Sequence, residues 1–184
     1  MTNIFPPYSE FIRESNLIEW VTDEISFSEA MRAWEYLMAQ PKLTIKIVKE
    51  THRILMNSQA IADRELGAFR KRKCWVGGRE GMTPLLIWQA IKSWIVKMNN
   101  KKNTDDQKLH VEYEHIHPFI DGNGRTGRMF MNWQRLNRLG KELLVIRDKE
   151  KQAYYDWFKR DKEHWLHTSK LWDILEHRQL KEIK

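Results

Sequence analysis

An all-α fold, a compact helical bundle carrying one small β-hairpin flap, is what three observations in this sequence predict. Apolar residues recur at intervals of three and four along most of its 184 residues. Capping residues, prolines and glycines divide those windows at helix-like lengths. A single stretch, 67–78, has apolar ends around a charged middle and reads as the one hairpin. No repeat, low-complexity linker or domain boundary interrupts the pattern, so the expectation is one domain over 1–184, long enough to bury a core without staples.

Taken in order, Pro6-Pro7 delays the first helix, which is expected over 8–21 with Phe11, Leu17, Ile18 and Val21 as its apolar positions. Ser26-Phe27-Ser28-Glu29 has the form of a capping box ahead of Met31, Trp34, Leu37 and Met38, and Pro41 ends that helix. Thr44 caps a third helix over 44–56, whereas the stretch up to Gly67 carries no clear period. The hairpin then places Arg70, Lys71, Arg72 and Lys73 at a basic tip, with Cys74, Trp75 and Val76 on its return. Thr83-Pro84 opens a helix over 83–99, since proline lacks nothing a first helical position needs. A polar loop leads to a helix over 106–115, and two more helices are expected over 150–164 and 169–181. Most of the nine tryptophans fall among apolar residues at helical spacing and are expected in the core.

Composition bounds the function. A formal charge of +7 and a pI near 9.5 suit nucleic acid, an acidic surface or a polyphosphate. No nucleic-acid module surrounds the basic residues, so a dedicated nucleic-acid binder is not expected. One cysteine, Cys74, forbids an internal disulfide and points to a reducing compartment; its basic neighbours could lower its pKa. Without a long apolar run or a charged leader, the expected setting is soluble and cytoplasmic.

The stretch 117–128, His117-Pro-Phe-Ile-Asp-Gly-Asn-Gly-Arg-Thr-Gly-Arg128, concentrates the chemistry. It feeds a helix whose apolar positions are Met129, Phe130, Trp133, Leu136 and Leu139, with Gly140 as its stop. A glycine-rich loop before a helix presents unpaired amides and the positive end of the dipole to one point, which binds anions. Gly122 and Gly124 let the backbone approach closely, and Asn123 adds a side-chain amide. Arg125 and Arg128, three apart, offer planar forks to phosphate oxygens. Asp121 is the carboxylate that could hold Mg²⁺ against them, and the imidazole of His117 can take a proton from an attacking hydroxyl.

This stretch resembles, without a departure, the signature of the Fic family, His-x-Phe-x-Asp/Glu-Gly-Asn-Gly-Arg-x-x-Arg. The resemblance implies a compact helical domain transferring AMP from ATP to a hydroxyl side chain (Tyr, Thr or Ser) of a target protein. It assigns His117 as the base and Asp121 to Mg²⁺. Asn123, Gly122 and Gly124 become the anion hole, Arg125 and Arg128 the grip on the β- and γ-phosphates, and Phe119 the anchor of the loop. A phosphorylating branch typically has lysine at the position of Gly124, so the glycine favours AMP transfer. Gly67-Ala-Phe-Arg70, Trp75-Val76-Gly77-Gly78 and Pro84 are similar to the family's target-aligning flap, which works by strand addition.

Ser15-Asn16-Leu17-Ile18-Glu19 further resembles the family's inhibitory helix, Ser/Thr-x-x-x-Glu-Gly/Asn, with Trp20 as the departure. The resemblance implies that Glu19 reaches Arg128 as a bidentate pair and occupies the space of the γ-phosphate. Alternatives remain at this stage: transfer of another nucleotide, removal of AMP, or a binding module that senses nucleotide. Self-modification, at Tyr8, Tyr113, Tyr154 or Tyr155 among others, and self-association are open. His115 beside His117 lacks a third metal ligand, and His52, His110, His164, His167 and His177 show no partner in the sequence.

Overall fold

The computed structural model describes residues 6–76 and 79–160. The expected helix over 169–181, the end of the one over 150–164, Gly77-Gly78 and the histidines 164, 167 and 177 lie outside them. Seven α-helices are described: α1 (Ser9–Ile18), α2 (Glu24–Met38), α3 (Ile45–Leu55), α4 (Pro84–Asn99), α5 (Asp106–Ile116), α6 (Asn123–Gln134) and α7 (Lys151–Arg160). Two strands, β1 (Trp75–Val76) and β2 (Arg79–Glu80), pair antiparallel with Trp75 opposite Glu80. Among the described residues no helix is long and apolar enough to cross a membrane.

Helix α6 is the hub, packed against α1, α2, α3 and α5. Its first eight or nine residues include glycines and arginines, yet all but Gly124 of its twelve are buried, the state of a helix enclosed on every side. Phe130 and Trp133 carry the core side of α6, where Trp94 of α4 and Tyr113 of α5 meet Phe130 at ring-centroid distances of 5.6 and 5.4 Å. Phe11 of α1 packs edge-on against Trp34 of α2, 5.2 Å between centroids. Leu37, Val48, Leu55, Ile87 and Ile91 close the rest of this core. A smaller cluster of Ile18, Met131, Ile146 and Tyr154 seals α1 and α7 over the other end of α6.

Several expectations need correction. Helix α2 begins before the predicted capping box: Asp23 is its cap and accepts from the Ser26 amide at 2.8 Å. Glu29, the supposed partner in that box, is buried instead and accepts from Asn57 Nδ2 and the Ser58 amide. The hairpin's strands lie after the basic run rather than around it, because Arg70 is drawn into the interior and the chain turns back later. After Gln134 the helix widens into a π-turn, Arg135–Leu139, so Leu136 is exposed rather than core. Trp34, Trp94 and Trp133 are core residues, but Trp20, Trp75 and Trp88 are exposed. Thr44 caps α3 as expected, accepting from the Ile47 amide.

Candidate active site

Helix α5 delivers the loop and α6 receives it. His117 caps α5 in the left-handed conformation, with φ 46°, which a residue with a Cβ adopts at a cost. Phe119 is fully buried, stacked on the His52 ring at 3.8 Å, and so fixes the middle of the loop. Asp121 Oδ1 accepts from the Gly122 amide at 2.6 Å. Gly122, at φ 72°, sits directly over Met56, where a Cβ would stand 2.5 Å from the sulfur. The first-turn amides that follow have no acceptor within the helix, an arrangement whose geometry and dipole suit an anion.

Asn123 corrects one expectation. Its Oδ1 accepts from the Phe119 amide and its Nδ2 donates to the Phe119 carbonyl, both at 2.9 Å. The side chain is thus spent on closing the loop, which leaves the backbone amides as the donors available there. Thr126 adds a second brace by donating to the Gly122 carbonyl at 2.9 Å, with Tyr113 Oη 2.9 Å from the same hydroxyl.

The two arginines differ. Arg125 is 2% exposed, and its Nε and Nη1 have no hydrogen-bond partner among the described residues; Nη2 reaches only the Met56 sulfur at 3.1 Å. Burial lowers its pKa from the ordinary arginine value, against the pull of Asp121 and Glu19. Such an under-satisfied cation is expensive unless an anionic ligand completes it. Arg128, 1% exposed, is instead surrounded. Its Nε donates to Ser15 Oγ and its Nη2 to the Ser15 carbonyl, both at 2.9 Å; Nη2 also reaches Glu19 Oε1 at 2.8 Å and Nη1 the Tyr154 hydroxyl at 3.2 Å.

Ser15 and Glu19 therefore do meet Arg128, but Glu19 uses one oxygen and not two. The reason lies in the end of α1. The Trp20 amide bonds the Leu17 carbonyl and the Val21 amide the Asn16 carbonyl, while Trp20 has φ 60°. This is a Schellman termination, with Glu19 as the cap residue and Trp20 in the left-handed position that glycine or asparagine normally fills. Helix α1 thus ends at Ile18, not at the expected Val21, and the turn swings Glu19 toward Arg128. The Trp20 side chain is 82% exposed, so its bulk does not obstruct docking, and Lys151 Nζ lies 4.3 Å from its ring centre.

Behind His117 stands a residue the sequence reading missed. Glu114 Oε2 is 3.7 Å from His117 Nδ1, beyond hydrogen-bond length but close enough for a carboxylate to orient the ring through its charge. Burial pushes the Glu114 carboxyl up, and His117, His110 and Arg128 outweigh it, leaving its pKa lowered. The spacing of three along one helix was the available signal. Tyr154 and His110 were also missed as a pair; Tyr154 Oη is 2.9 Å from His110 Nε2, and both are buried. Tyr113 and Tyr154 are consequently not accessible for self-modification.

The flap residues also separate. Trp75 is exposed, Arg72 pairs with Glu65 at 3.0 Å and Lys73 with Glu80 at 2.6 Å, and Lys71 is exposed. Arg70 is 5% exposed and bonded to backbone carbonyls, so it does not face a docking partner. Burial raises the Cys74 thiol pKa despite the nearby Arg70, the reverse of the shift its basic neighbours suggested. Among the described residues no group of three or more His, Cys, Asp or Glu is arranged to hold a metal by itself.

A sequence model described as the Fic/DOC family matches residues 42–134. Protein adenylyltransferase Fic of Drosophila ananassae is 32% identical over 132 residues, covering 67% of this chain and 25% of that protein. The protein of the same name from Drosophila grimshawi is 33% identical over 129 residues, covering 67% and 26%. The chain spans about a quarter of the length of these curated relatives. Among solved structures, a Fic family protein from Desulfovibrio desulfuricans superposes with a TM-score of 0.67 at 19% identity, over 96% of this chain and 65% of that one. A Fic-domain signaling protein from Bacteroides thetaiotaomicron gives 0.65 at 21% identity, over 80% and 69%. At these identities the likeness is one of fold.

Proposed function

The chain belongs to the Fic/DOC family, and on that premise we propose that it is a protein adenylyltransferase, moving AMP from ATP to a hydroxyl side chain of a target protein. The observation that carries the reading is the unsatisfied, buried guanidinium of Arg125 beside the open amides of the α6 N-terminus. Together they form a built receptor for a polyphosphate. In the reaction His117 takes the proton of the target hydroxyl, whose oxygen bonds to the α-phosphorus as the bond to the β-phosphate oxygen breaks and pyrophosphate leaves. Glu114 keeps the His117 ring turned so that Nδ1 faces the carboxylate and Nε2 can accept the proton. The loop amides and Arg125 hold the phosphates in line.

Asp121 is exposed, and with Oδ1 engaged by the Gly122 amide its other oxygen fits a hard cation. Mg²⁺ bound there would supply charge neutralisation to the triphosphate. The target would pair with the flap, offering its hydroxyl beside His117.

The chain is also its own inhibitor in this reading. With Ser15, Glu19 and Tyr154 on Arg128, the guanidinium cannot grip a γ-phosphate until Glu19 withdraws. Glu19→Gly therefore raises AMP transfer by about tenfold or more, each 1.4 kcal/mol of lost competition being tenfold. The test uses Mg²⁺ and α-labelled ATP with a cell lysate as acceptor pool, plus intact mass of the chain itself. Protein-bound label that grows with Glu19→Gly and vanishes with His117→Ala is the expected result. Label that survives His117→Ala, or no label from Glu19→Gly on any protein, refutes it.

A further inference from the structure

Among the described residues, Arg70 is a buried cation with no carboxylate in ion-pair contact. Its Nε donates to the His117 carbonyl at 2.7 Å, and Nη2 to the carbonyls of Met82 at 2.5 Å and Ile116 at 3.3 Å. Nη1 donates to the Arg72 carbonyl at 2.9 Å, and the Arg70 amide donates to the Pro118 carbonyl, also at 2.9 Å. Two of these acceptors are the carbonyls of Ile116, the last residue of α5, and of its cap His117, where the negative end of the helix dipole offsets the missing counter-charge. Two others, Arg72 and Met82, are the residues that flank the hairpin on either side. Gly81 makes room, since a Cβ there would stand 3.2 Å from Arg70 Nη2 and 2.8 Å from the Cys74 sulfur.

One planar group thus ties both feet of the flap to the residue whose strained backbone aims the base. A left-handed residue with a side chain persists only where its surroundings hold it. Lysine could not substitute, because a single ammonium cannot reach carbonyls spread around a fork. We propose that Arg70 is a positioning residue for AMP transfer, fixing the left-handed backbone of His117 and registering the flap against it, so that acceptor hydroxyl and base are aligned by the same side chain. This rests on the adenylyltransferase reading. It assigns no contact with substrate to Arg70, and the nucleotide loop from Asp121 onward is held by other groups.

The experiment uses the full chain with Glu19→Gly as parent and adds Arg70→Lys. Three quantities are read: affinity for Mg²⁺-ATP, rate of label transfer from α-labelled ATP to lysate protein, and amide hydrogen exchange. Transfer is expected to fall on the order of 100-fold, the usual result of displacing a reacting group by about 1 Å. ATP affinity stays at the parent's value, and exchange accelerates at 72–82 and 116–118 while α2 and α3 are unchanged. Gly81→Ala, which crowds Arg70 without removing its charge, is expected to move transfer and exchange in the same direction. Transfer at the parent's rate in Arg70→Lys, loss of ATP affinity in step with transfer, or exchange accelerated throughout the bundle would overturn the proposal. A silent Glu19→Gly parent would instead defeat the enzymatic reading, and local exchange alone would then decide whether Arg70 is the anchor.

Discussion

His52 and His110 are buried where their rings are held neutral. The Gly67 amide donates to His52 Nδ1 and the opposite nitrogen faces the Asp121 carbonyl, each at 3.0 Å, so the proton sits on Nε2 and a second one would break the first bond. Burial is the main cause that lowers both pKa values from 6.5 to about 4. The unfolded chain takes up these protons near pH 6.5 and the folded chain resists them until about 4, so stability is complete above 6.5 and falls as pH drops toward 4. Each histidine contributes on the order of 3 kcal/mol to that loss. Urea midpoints at pH 7, 5.5 and 4.5 measure it; a His52→Asn variant should show a shallower slope, and an equal slope would contradict the assignment. The motif from His117 to Arg128 was legible because its residues are contiguous. Asn123, by contrast, carries the same letters whether its amide faces an anion or closes the loop, and only the fold discriminates.

At the scale of the element, helix boundaries followed local chemistry, and the errors did too. Thr44 was readable as a cap because its hydroxyl serves an amide three residues on; Thr44→Ala should cost about 1 kcal/mol, seen as a lower thermal midpoint. The false capping box at Ser26 arose because Asp23 offers a better cap and Glu29 has partners in a distant turn, Asn57 and Ser58. The hairpin was placed too early because a basic run reads as a tip, and Arg70 gains more by burying its fork among carbonyls than by standing in solvent. The Schellman end of α1 explains how Glu19 comes to face Arg128: the residue after the glutamate must tolerate positive φ, and Trp20 does so while remaining in solvent.

At the scale of the whole molecule, the site is assembled from segments far apart in sequence. Ser15 meets Arg128 across 113 positions and Tyr154 meets it from the other side, contacts that no spacing rule anticipates. The resemblance to a family pattern made the Glu19 contact with Arg128 legible, but nothing in the sequence marked those of Ser15 and Tyr154. Gly124 lies where these segments converge: a Cβ built on it would collide with the Glu19 carboxylate, with Arg128 Nη1 3.1 Å away. Gly124→Ala should therefore evict Glu19 without unfolding the bundle. Measured against Arg128→Ala as the disabled control, it should expose the chain to limited proteolysis near Glu19 and leave the thermal midpoint within about 2 °C of the parent's, the shift expected for less than 1 kcal/mol. In evolutionary terms the two positions are epistatic. A lineage that put any side chain at 124 would lose the contact between Glu19 and Arg128 in the same step.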